Sequence, residues 1–583
     1  MKQITAFGGE GATRQSAVFG IDLGTTNSAI SVVRRGDLPE TIKLTSGRYT
    51  MPSCVMYTGG KTIVGLEAYQ NREKACTVYS VKRLMQDPNA IVRVQGSAGV
   101  LELKPEEVSA EILKGLVEQT GGVYGDIKDV VVTVPAYFDQ NGVNATRRAC
   151  ELAGLNLIGI ANEPTAASLC YKLKPDEGNT KDVIVYDLGG GTFDVTLMRI
   201  TYGDDSSSAF ASIYGFDDDD KDKKEDNVHS VVTLAIDGDT HLGGDDIDDA
   251  LLSIVNKKLM GECGVDASLF TDSYLEGMKL RLEGFKKKDS NSIYSFNIDT
   301  VNKYGEKIDA VVYVTPQDFA DSAMVIFEKT KAIVNRVLRS VPNNASTIVL
   351  TGGSTKNPWI QQALRDNYPG MHIDDALSPD LSVSQGAAIQ GKVTKFGDSN
   401  VQIFDILPLT IGVKDADGRI VPVITKGSSL PAMRTVPFAT DMDYQEQVSV
   451  ELFQGASLYA DECVSLGKLR LCNITPRPAG EATLSVTISI NVDRLMTCTA
   501  TIDGRKEELT IDLSGELHNS AVTGFDKQIR MLRRAGSHMD AAKRDALNTM
   551  LDSVGTEYTL DDVKAFIKNN RSDKLVCEQT KNV

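Results

Sequence analysis

Two short segments of the chain combine an aspartate with a turn rich in glycine and threonine. In each segment an apolar run ends in an aspartate, Asp22 or Asp187, and the turn leads into a second apolar run. Small residues let backbone N–H groups approach phosphate oxygens, and threonine hydroxyls add donors. A carboxylate at the strand end can hold a hydrated Mg²⁺ against the phosphates. One such segment is more often an ordinary hairpin, but two indicate paired lobes that clamp one nucleotide.

A third glycine turn follows the apolar run at 347–351 and contains Gly352 and Gly353. Alone it could be a tight connection between a strand and a helix. Beside the other two turns it is typical of a nucleoside-binding turn. The three turns together resemble the ATPase fold that actin, sugar kinases and certain chaperones share.

The segments around these turns differ in their hydrophobic pattern, which predicts the domains. From residue 17 to 396, β-branched apolar runs alternate with stretches of helical period, as in an α/β domain with buried strands. Residues 405–515 carry short runs of alternating polarity with turns such as Asp417-Gly418, which predict a compact antiparallel β domain. Residues 516–583 return to helical spacing and predict a short helical segment with a loose tail.

Three further segments precede, interrupt or connect these domains. Residues 1–16 lack the apolar core of a signal peptide and are expected to form a disordered extension. Residues 204–226 contain four consecutive aspartates and are expected to be a solvated acidic insertion rather than a recognition arm. Residues 397–404 form an expected interdomain linker, which ends in an apolar run that water should disfavour.

Composition argues against several classes of partner and site. The 583 residues carry 62 basic and 79 acidic side chains, a net charge of −17, so nucleic acid and anionic membranes are not expected as partners. No apolar run approaches the length of a membrane span. Nine cysteines, none spaced as CxxC, favour reduced thiols in a cytoplasmic compartment over disulfides or zinc.

Longer motifs around the turns resemble the heat shock protein 70 chaperones of the DnaK type. The resemblance runs in order over about residues 17–515, whereas sugar kinases and actins share only the turn pattern. It implies a multidomain chain with an actin-like ATPase domain of two duplicated α/β lobes, then a β-sandwich that binds peptide, and a short helical lid. The motifs lie at 19–33, 130–140, 161–168, 183–197, 237–248, 349–358 and 405–413.

The resemblance also implies the roles of residues in an ATPase site. Lys82 would orient the attacking water, and Glu163 would lie near the metal and this water. Asp187 and Thr192 would complete the catalytic set. Without the matched motifs, Lys82 would be read as a surface residue and Glu163 as a helix-cap partner. Mg²⁺ and accompanying K⁺ ions would be organised by Asp22, Asp187 and Asp194.

The same resemblance implies which residues bind ATP or ADP. Lys356 stands where the family usually has arginine, and a lysine stacks less well on an adenine plane. Four of the residues, spaced i, i+3, i+4 and i+7 from Glu283, would share one helical face, although a solvated face is the ordinary interpretation of such a pattern. The full set is Gly24, Thr25, Thr26, Asn27, Gly189, Gly190, Gly191, Thr192, Gly243, Gly244, Glu283, Lys286, Lys287, Ser290, Gly352, Gly353, Ser354, Lys356 and Asp380.

A peptide site is implied within the β domain. Its pocket would be formed by Val413, Phe438, Val448 and Val450, with an arch at Ala416 and Asp441. These valines alternate on one face, so some of them are expected to be sandwich core, and Val448 is the predicted pocket floor. An aspartate in the arch is unusual, and it is expected to disfavour acidic peptides.

Communication between the domains is expected to be weak. The family carries a relay arginine eight residues after the proline of its VPAYF motif, and Val143 occupies that position here. Restoring an arginine at 143 is expected to raise the response to peptide, unless Arg147 or Arg148 already substitutes. The residues implied in coupling are Pro135, Val143, Val401, Ile403, Phe404 and Asp405.

The predicted function is that of an ATP-dependent stress-response chaperone for extended apolar segments of unfolded proteins. J-domain co-chaperones and nucleotide exchange factors are its implied partners. One alternative is a nucleotide-bound holdase or regulator, favoured by Val143, Asp441 and the short lid. Another is an actin-like filament ATPase, which has no use for residues 405–513. A small-molecule kinase would need a catalytic aspartate beside a substrate hydroxyl, and the sequence offers no such site.

Overall fold

The protein is described here by a computed structural model, and its chain divides into two compact units, residues 1–513 and 514–583. Nearly all described residues belong to the first unit. The expected extension at 1–16, the acidic insertion at 204–226 and most of the expected lid lie outside them. The described residues are 17–35, 37–96, 99–171, 180–202, 229–375, 378–397, 401–415, 417–440, 442–472, 475–492, 494, 496–502, 505–510, 546, 549 and 550.

Strands and helices are numbered along the chain. The strands are β1 (Ala17–Leu23), β2 (Asn27–Arg34), β3 (Glu40–Thr41), β4 (Thr50–Pro52), β5 (Cys54–Thr58), β6 (Lys61–Val64), β7 (Thr77–Tyr79), β8 (Val92–Gly96), β9 (Gly99–Leu103), β10 (Asp129–Val134), β11 (Asn156–Asn162), β12 (Thr180–Leu188), β13 (Phe193–Tyr202), β14 (His229–Asp239), β15 (Tyr294–Val301), β16 (Lys307–Val314), β17 (Thr347–Thr351), β18 (His372–Asp374), β19 (Val401–Phe404), β20 (Thr410–Lys414), β21 (Ile420–Ile424), β22 (Ala432–Ala439), β23 (Gln447–Gly455), β24 (Val464–Cys472), β25 (Thr483–Ile490), β26 (Met496–Ile502) and β27 (Arg505–Thr510). The helices are α1 (Leu66–Tyr69), α2 (Pro105–Glu118), α3 (Gln140–Leu152), α4 (Glu163–Leu169), α5 (Gly244–Lys258), α6 (Asp272–Lys288), α7 (Pro316–Ser340), α8 (Pro358–Asn367) and α9 (Ser382–Phe396).

Two six-stranded sheets repeat the same local arrangement. One has the order β11-β10-β1-β2-β3 with β4 on β2, and the other has the order β18-β17-β12-β13-β14-β19. In each, an antiparallel hairpin, β1–β2 or β12–β13, is flanked by a parallel strand, β10 or β17. The continuous apolar runs are buried on both faces, as parallel sheets covered by helices require. The two hairpins predicted from the aspartate turns are confirmed.

Helix α9 packs directly on the first of these sheets. A side chain at Gly20 of β1 would collide with the backbone of Ala388, and one at Gly386 would collide with the backbone of Ala166 in α4. Glycine is therefore required where α9 crosses β1 and α4, because no Cβ fits in the space. This close packing fixes the start of α4, where Glu163 lies, against the first sheet.

The β-sandwich, defined here as β20–β27, consists of two four-stranded sheets. Their orders are β21-β20-β23-β24 and β22-β25-β26-β27, and one apolar core is shared between them. The alternation in β25 places Leu484, Val486 and Ile488 inside, because successive side chains of a strand point to opposite faces. The period-2 pattern at 447–452 and 484–490 correctly predicted strands.

The end of the expected linker forms a strand. β19 pairs in parallel with β14 at the edge of the second six-stranded sheet, with Val401 opposite His229 and Phe404 opposite Val232. Val401 and Ile403 pack against the apolar cluster of that sheet. The pairing explains the apolar composition, since these side chains are half-buried rather than exposed to water. Within the described residues, no helix has the length and apolarity needed to cross a membrane.

Candidate functional site

The three glycine turns meet around one cavity of about 430 Å³. The turn after β1 contributes Gly24, the turn after β12 contributes Gly189 and Gly190, and the turn after β17 contributes Gly352 and Gly353. Both six-stranded sheets thus present the same hairpin end to one space. Residues that the resemblance placed in the nucleotide site and that line this cavity are Asp22, Gly24, Thr25, Thr26, Asn27, Lys82, Glu163, Asp187, Gly189, Gly190, Thr192, Gly244, Glu283, Lys286, Lys287, Gly352, Gly353, Ser354, Lys356 and Asp380.

Four residues expected in the site do not line the cavity. Asp194 lies behind the turn, where its carboxylate accepts the Tyr137 N–H at 3.1 Å. Gly191 packs against Thr25, and Gly243 packs against the backbone of Gly190. Both glycines therefore allow two loops to approach each other closely. Ser290 lies beyond the end of α6 at Lys288, and the expected i+7 face therefore stops short of it.

Where the turns after β1 and β12 approach each other, the residues suit the binding of a phosphate group. A side chain at Gly190 would collide with the Thr26 hydroxyl, so the turns touch through backbone and hydroxyl groups. Thr26 Oγ1 is buried and has no hydrogen-bond partner among the described residues. Buried polar atoms normally have a partner, and a phosphate oxygen would supply the missing acceptor.

Carboxylates dominate the charge beneath these turns. Burial, reinforced by repulsion from Glu163, raises the pKa of Asp22 and of Asp187 to about 8 and that of Asp194 to about 7, while Lys82 opposes the shift in each. This excess of negative charge fits a cation. In the part of the chain that the structure describes, no three His, Cys, Asp or Glu side chains are close enough to chelate one directly. The negative charge of the carboxylates is the feature that fits a hydrated ion such as Mg²⁺, which keeps several of its waters.

Lys82 and Glu163 form a buried ion pair inside this cluster. Lys82 belongs to the short helical turn Val81–Leu84, and its Nζ donates to Glu163 Oε1. Glu163 is the first residue of α4, which Asn162 precedes as N-cap. Lys82 is only 5% exposed, so the interpretation of an isolated lysine as a surface residue is wrong here.

The opposite end of the cavity is closed by an ionic network around Glu283. Its carboxylate accepts from Tyr69 Oη at 2.8 Å, and it pairs with Arg72 at 2.7 Å and with Lys287 at 2.6 Å. Burial alone would raise the pKa of Glu283, but Lys287 and Arg72 outweigh it and lower the pKa to about 2. Helix α6 is thereby tied to the segment that follows α1.

Several residues of the site were missed by the sequence reasoning. Tyr69 and Arg72 are distant in sequence from Glu283, and no local pattern marks them. Asp248 was also missed, although it pairs with Lys286 at 2.5 Å. Ser80 Oγ donates to Asp245 at 2.8 Å. The only available signal was the acidic run at 245–249, which begins α5 where negative charge is favoured.

The residues expected to bind peptide are divided between core and partly exposed positions. Val413 and Val450 are buried in the sandwich core, whereas Phe438 and Val448 are half-buried and pack against it. The expected arch residues, at 416 and 441, lie outside the described residues. Val448 keeps the partly open position that the predicted pocket floor requires.

Val143, the residue at the expected relay position, belongs to a buried apolar cluster. It is 1% exposed and packs with Met85, Val134, Phe138 and Ile160. An arginine here would bury its charge among these side chains, which is strongly disfavoured. The burial of this position therefore argues against the expectation that arginine at 143 restores coupling, which stays a prediction.

The sandwich contacts the nucleotide-binding part of the chain, meaning the two six-stranded sheets and their helices. The backbone N–H of Gln140 donates to Gln454 Oε1 of β23 at 2.7 Å. Asp405, which follows β19, accepts from Thr233 Oγ1 at 2.9 Å and from Asn162 Nδ2. Pro135 begins the segment that leads from β10 to α3. The sandwich and the residue that follows the linker strand thus each contact the nucleotide-binding part, and Asp405 does so beside Glu163.

Comparison with known proteins gives a consistent result over nearly the whole chain. Residues 18–211 and 228–583 match the model of the family described as Hsp70 protein. The protein described as "Chaperone protein DnaK" of Mycoplasmopsis synoviae (strain 53) is 31% identical to this chain over 581 residues. That similarity covers 96% of this chain and 90% of the relative.

Proposed function

The chain belongs to the Hsp70 family, and we propose that it is an ATP-driven chaperone that releases and captures extended apolar segments of unfolded proteins. Membership of the family implies a chaperone function, an ATPase activity and nucleotide binding with Mg²⁺. The observation that carries the proposal is the single cavity, in which the turns of both sheets and the Lys82–Glu163 pair meet.

The arrangement supports phosphoryl transfer to water by positioning and electrostatics. The glycine turns would hold the phosphates with backbone N–H groups, and Thr26 offers a hydroxyl that has no partner within the described part of the chain. Asp22, Asp187 and Asp194 would hold Mg²⁺ and K⁺, which would supply positive charge to neutralise the phosphates. Lys82 would supply a fixed positive charge where negative charge develops, and its pairing with Glu163 holds both groups in place beside the site of the attacking water.

Control of the peptide site is proposed to run through the contact of sandwich and nucleotide-binding part. Two arrangements, docked and undocked, would differ in their affinity for ATP and for peptide, and each ligand would shift the population between them. Two contacts would belong to the docked arrangement and would break on undocking: the pairing of β19 with β14 and the Gln140–Gln454 hydrogen bond. The peptide itself would bind beside Val448.

J-domain co-chaperones and exchange factors are proposed as partners on the strength of the family alone. A cytoplasmic location also remains a prediction. One alternative keeps the fold without the cycle, as a nucleotide-bound holdase, and the burial of Val143 in place of a charged relay favours it.

Two measurements on the full chain decide between these functions. Steady-state ATP hydrolysis is measured with and without a leucine-rich extended peptide, and release of the fluorescently labelled peptide is followed after ATP addition. A chaperone cycle requires that ATP accelerates release and that peptide accelerates hydrolysis. Peptide binding that ATP leaves unaltered would favour the holdase, and absence of both activities would contradict the proposal.

A further inference from the structure

The short helical turn Val81–Leu84, which carries Lys82, contacts both sides of the nucleotide cavity. Val81 is buried in the apolar cluster of the first six-stranded sheet. Ser80 and Arg83 lie three residues apart, and side chains with this spacing align in a 3₁₀ turn. They therefore share one face of the turn, and both reach the start of α5 on the side of the second sheet.

Two carboxylates in the first turn of α5 accept these side chains. Ser80 Oγ donates to Asp245 Oδ2 at 2.8 Å, and Arg83 Nη2 donates to Asp246 Oδ2 at 2.7 Å. The same nitrogen of Arg83 also donates to the Gly190 carbonyl at 3.4 Å. The two side-chain contacts, Ser80–Asp245 and Arg83–Asp246, are together called the clasp.

The carboxylate side of the clasp is fixed to the glycine turn after β12. The backbone N–H of Asp245 donates to the Gly190 carbonyl at 2.8 Å. Asp246 Oδ2 accepts from the Gly243 N–H at 2.7 Å as well as from Arg83. The clasp therefore joins the short helical turn to the glycine turn at which phosphates would bind.

Ser80 adopts a strained backbone conformation at the start of the helical turn. Its φ of 52° lies in the left-handed region, where a residue other than glycine costs free energy. Such strain persists only where the surroundings determine it, and it is frequent at active sites. Glycine would adopt this conformation without the cost, so the backbone alone does not account for a serine. The hydrogen bond from its hydroxyl to Asp245 does.

The Arg83–Asp246 pair is better suited to positioning than to stabilising the fold. The two side chains are 20% and 25% exposed, and an ion pair that water reaches adds little to stability. A charge-assisted hydrogen bond of 2.7 Å is nevertheless short and directional. Its main effect is therefore to fix where the short helical turn lies.

We propose that Arg83 is a positioning residue for ATP hydrolysis, which through the clasp holds the Lys82 ammonium group at the glycine turn after β12. The proposal rests on the proposed function and adds a residue on which its chemical step depends. Lys82 is also bonded to Glu163 at the start of α4, on the side of the first sheet. Because the clasp and this bond come from opposite sides of the cavity, Lys82 is correctly placed only while both are formed.

The test uses the full chain with Arg83→Gln, which removes the ion pair. Single-turnover hydrolysis of ATP should slow by about ten- to a hundredfold, because a misplacement of about 1 Å can cost about 10²-fold in rate. ATP affinity and the melting temperature should change little, and Arg83→Lys should retain part of the rate. Arg199→Gln is the matched control, because Arg199 pairs with Asp182 near the far end of the β12–β13 hairpin. This control should hydrolyse ATP at the normal rate.

Two double variants show whether Arg83 acts through the clasp and through Lys82. In a Lys82→Met background, Arg83→Gln should cause no further loss, whereas a second loss of the same size would mean that Arg83 acts on the phosphates directly. Asp246→Asn keeps an oxygen for the Gly243 N–H, and it should slow hydrolysis as Arg83→Gln does without adding to it. The proposal is overturned by losses that multiply in either double variant, or by normal hydrolysis in Arg83→Gln.

A separate measurement tests the clasp if the unaltered protein does not hydrolyse ATP, in which case the proposed function fails. The amides of Arg83 and Met85 are bonded within the turn, to the carbonyls of Ser80 and Lys82. Their hydrogen exchange in the presence of ATP should be faster in Arg83→Gln than in the unaltered protein or in Arg199→Gln. Equal exchange in the three proteins would refute the clasp.

Discussion

Removing the charge of Lys82 offers the most direct test of the proposed ATPase site. Lys82 is the cation that opposes the raised pKa values of Asp22, Asp187 and Asp194, and it pairs with Glu163. A preorganised group that stabilises developing charge contributes about 2.7–4 kcal/mol to the barrier, a factor of about 10² to 10³ in rate. We therefore expect Lys82→Ala to bind ATP but to hydrolyse it about 10² to 10³ times more slowly.

The assay is single-turnover hydrolysis of ATP by the full chain, which separates the chemical step from product release. Lys82→Met is measured alongside, because it keeps most of the buried volume and removes only the charge. Lys287→Met serves as the control at the other end of the cavity, and it should weaken nucleotide binding more than it slows hydrolysis. Breaking a buried ion pair also destabilises a protein, by about 3–5 kcal/mol, so thermal unfolding with ATP present must show that each variant is folded.

Equal slowing in Lys82→Ala and Lys82→Met would assign the effect to the charge rather than to packing. Hydrolysis at the normal rate in either folded variant would refute the role of Lys82. If ATP binding is lost but the ATP that does bind is hydrolysed at the normal rate, Lys82 acts in binding rather than in the chemical step.

Three further predictions concern the peptide site, the nucleoside end and the relay position. Val448→Phe should fill the partly open position on the sandwich and abolish binding of leucine-rich peptides, while circular dichroism shows an intact sandwich. If fluorescence anisotropy titrations show unaltered peptide affinity, the peptide binds elsewhere. Glu283 has its pKa lowered to about 2 from an ordinary 4.5, so its stabilisation is complete above pH 4.5 and is lost as the pH falls from about 4.5 to about 2. At about 1.4 kcal/mol per pKa unit, the contribution of Glu283 to the free energy of unfolding is on the order of 3 kcal/mol. Denaturant unfolding of Glu283→Gln should therefore show a smaller loss of stability over this pH range than the unaltered protein, and an equal loss in both would contradict the network. Val143→Arg should lower the melting temperature without increasing the stimulation of hydrolysis by peptide, and a stable variant with stronger stimulation would show that the apolar cluster can admit a cation.

Local patterns were sufficient where neighbouring residues decide the structure. The apolar run, aspartate and glycine turn predicted the β1–β2 and β12–β13 hairpins, because strand pairing across a short turn is set within the segment itself. Alternation predicted β23 and β25 for the same reason. Matched motifs then indicated the family and most residues that line the cavity. The helical-face interpretation failed at Ser290, because α6 ends at Lys288 and periodicity alone does not show where a helix stops.

Tertiary structure alone decided the contacts that close and connect these sites. Arg72 meets Glu283, Asn162 meets Asp405, and the Arg494 turn meets Gln140, although each pair is separated by two hundred residues or more. No spacing in the sequence encodes such contacts, because they depend on how whole sheets and helices pack. The same holds for burial, because the sequence alone does not show whether a valine at 143 or an apolar run at 401–404 is buried or exposed to water. Val143 became core and β19 became an edge strand because packing removed their side chains from water.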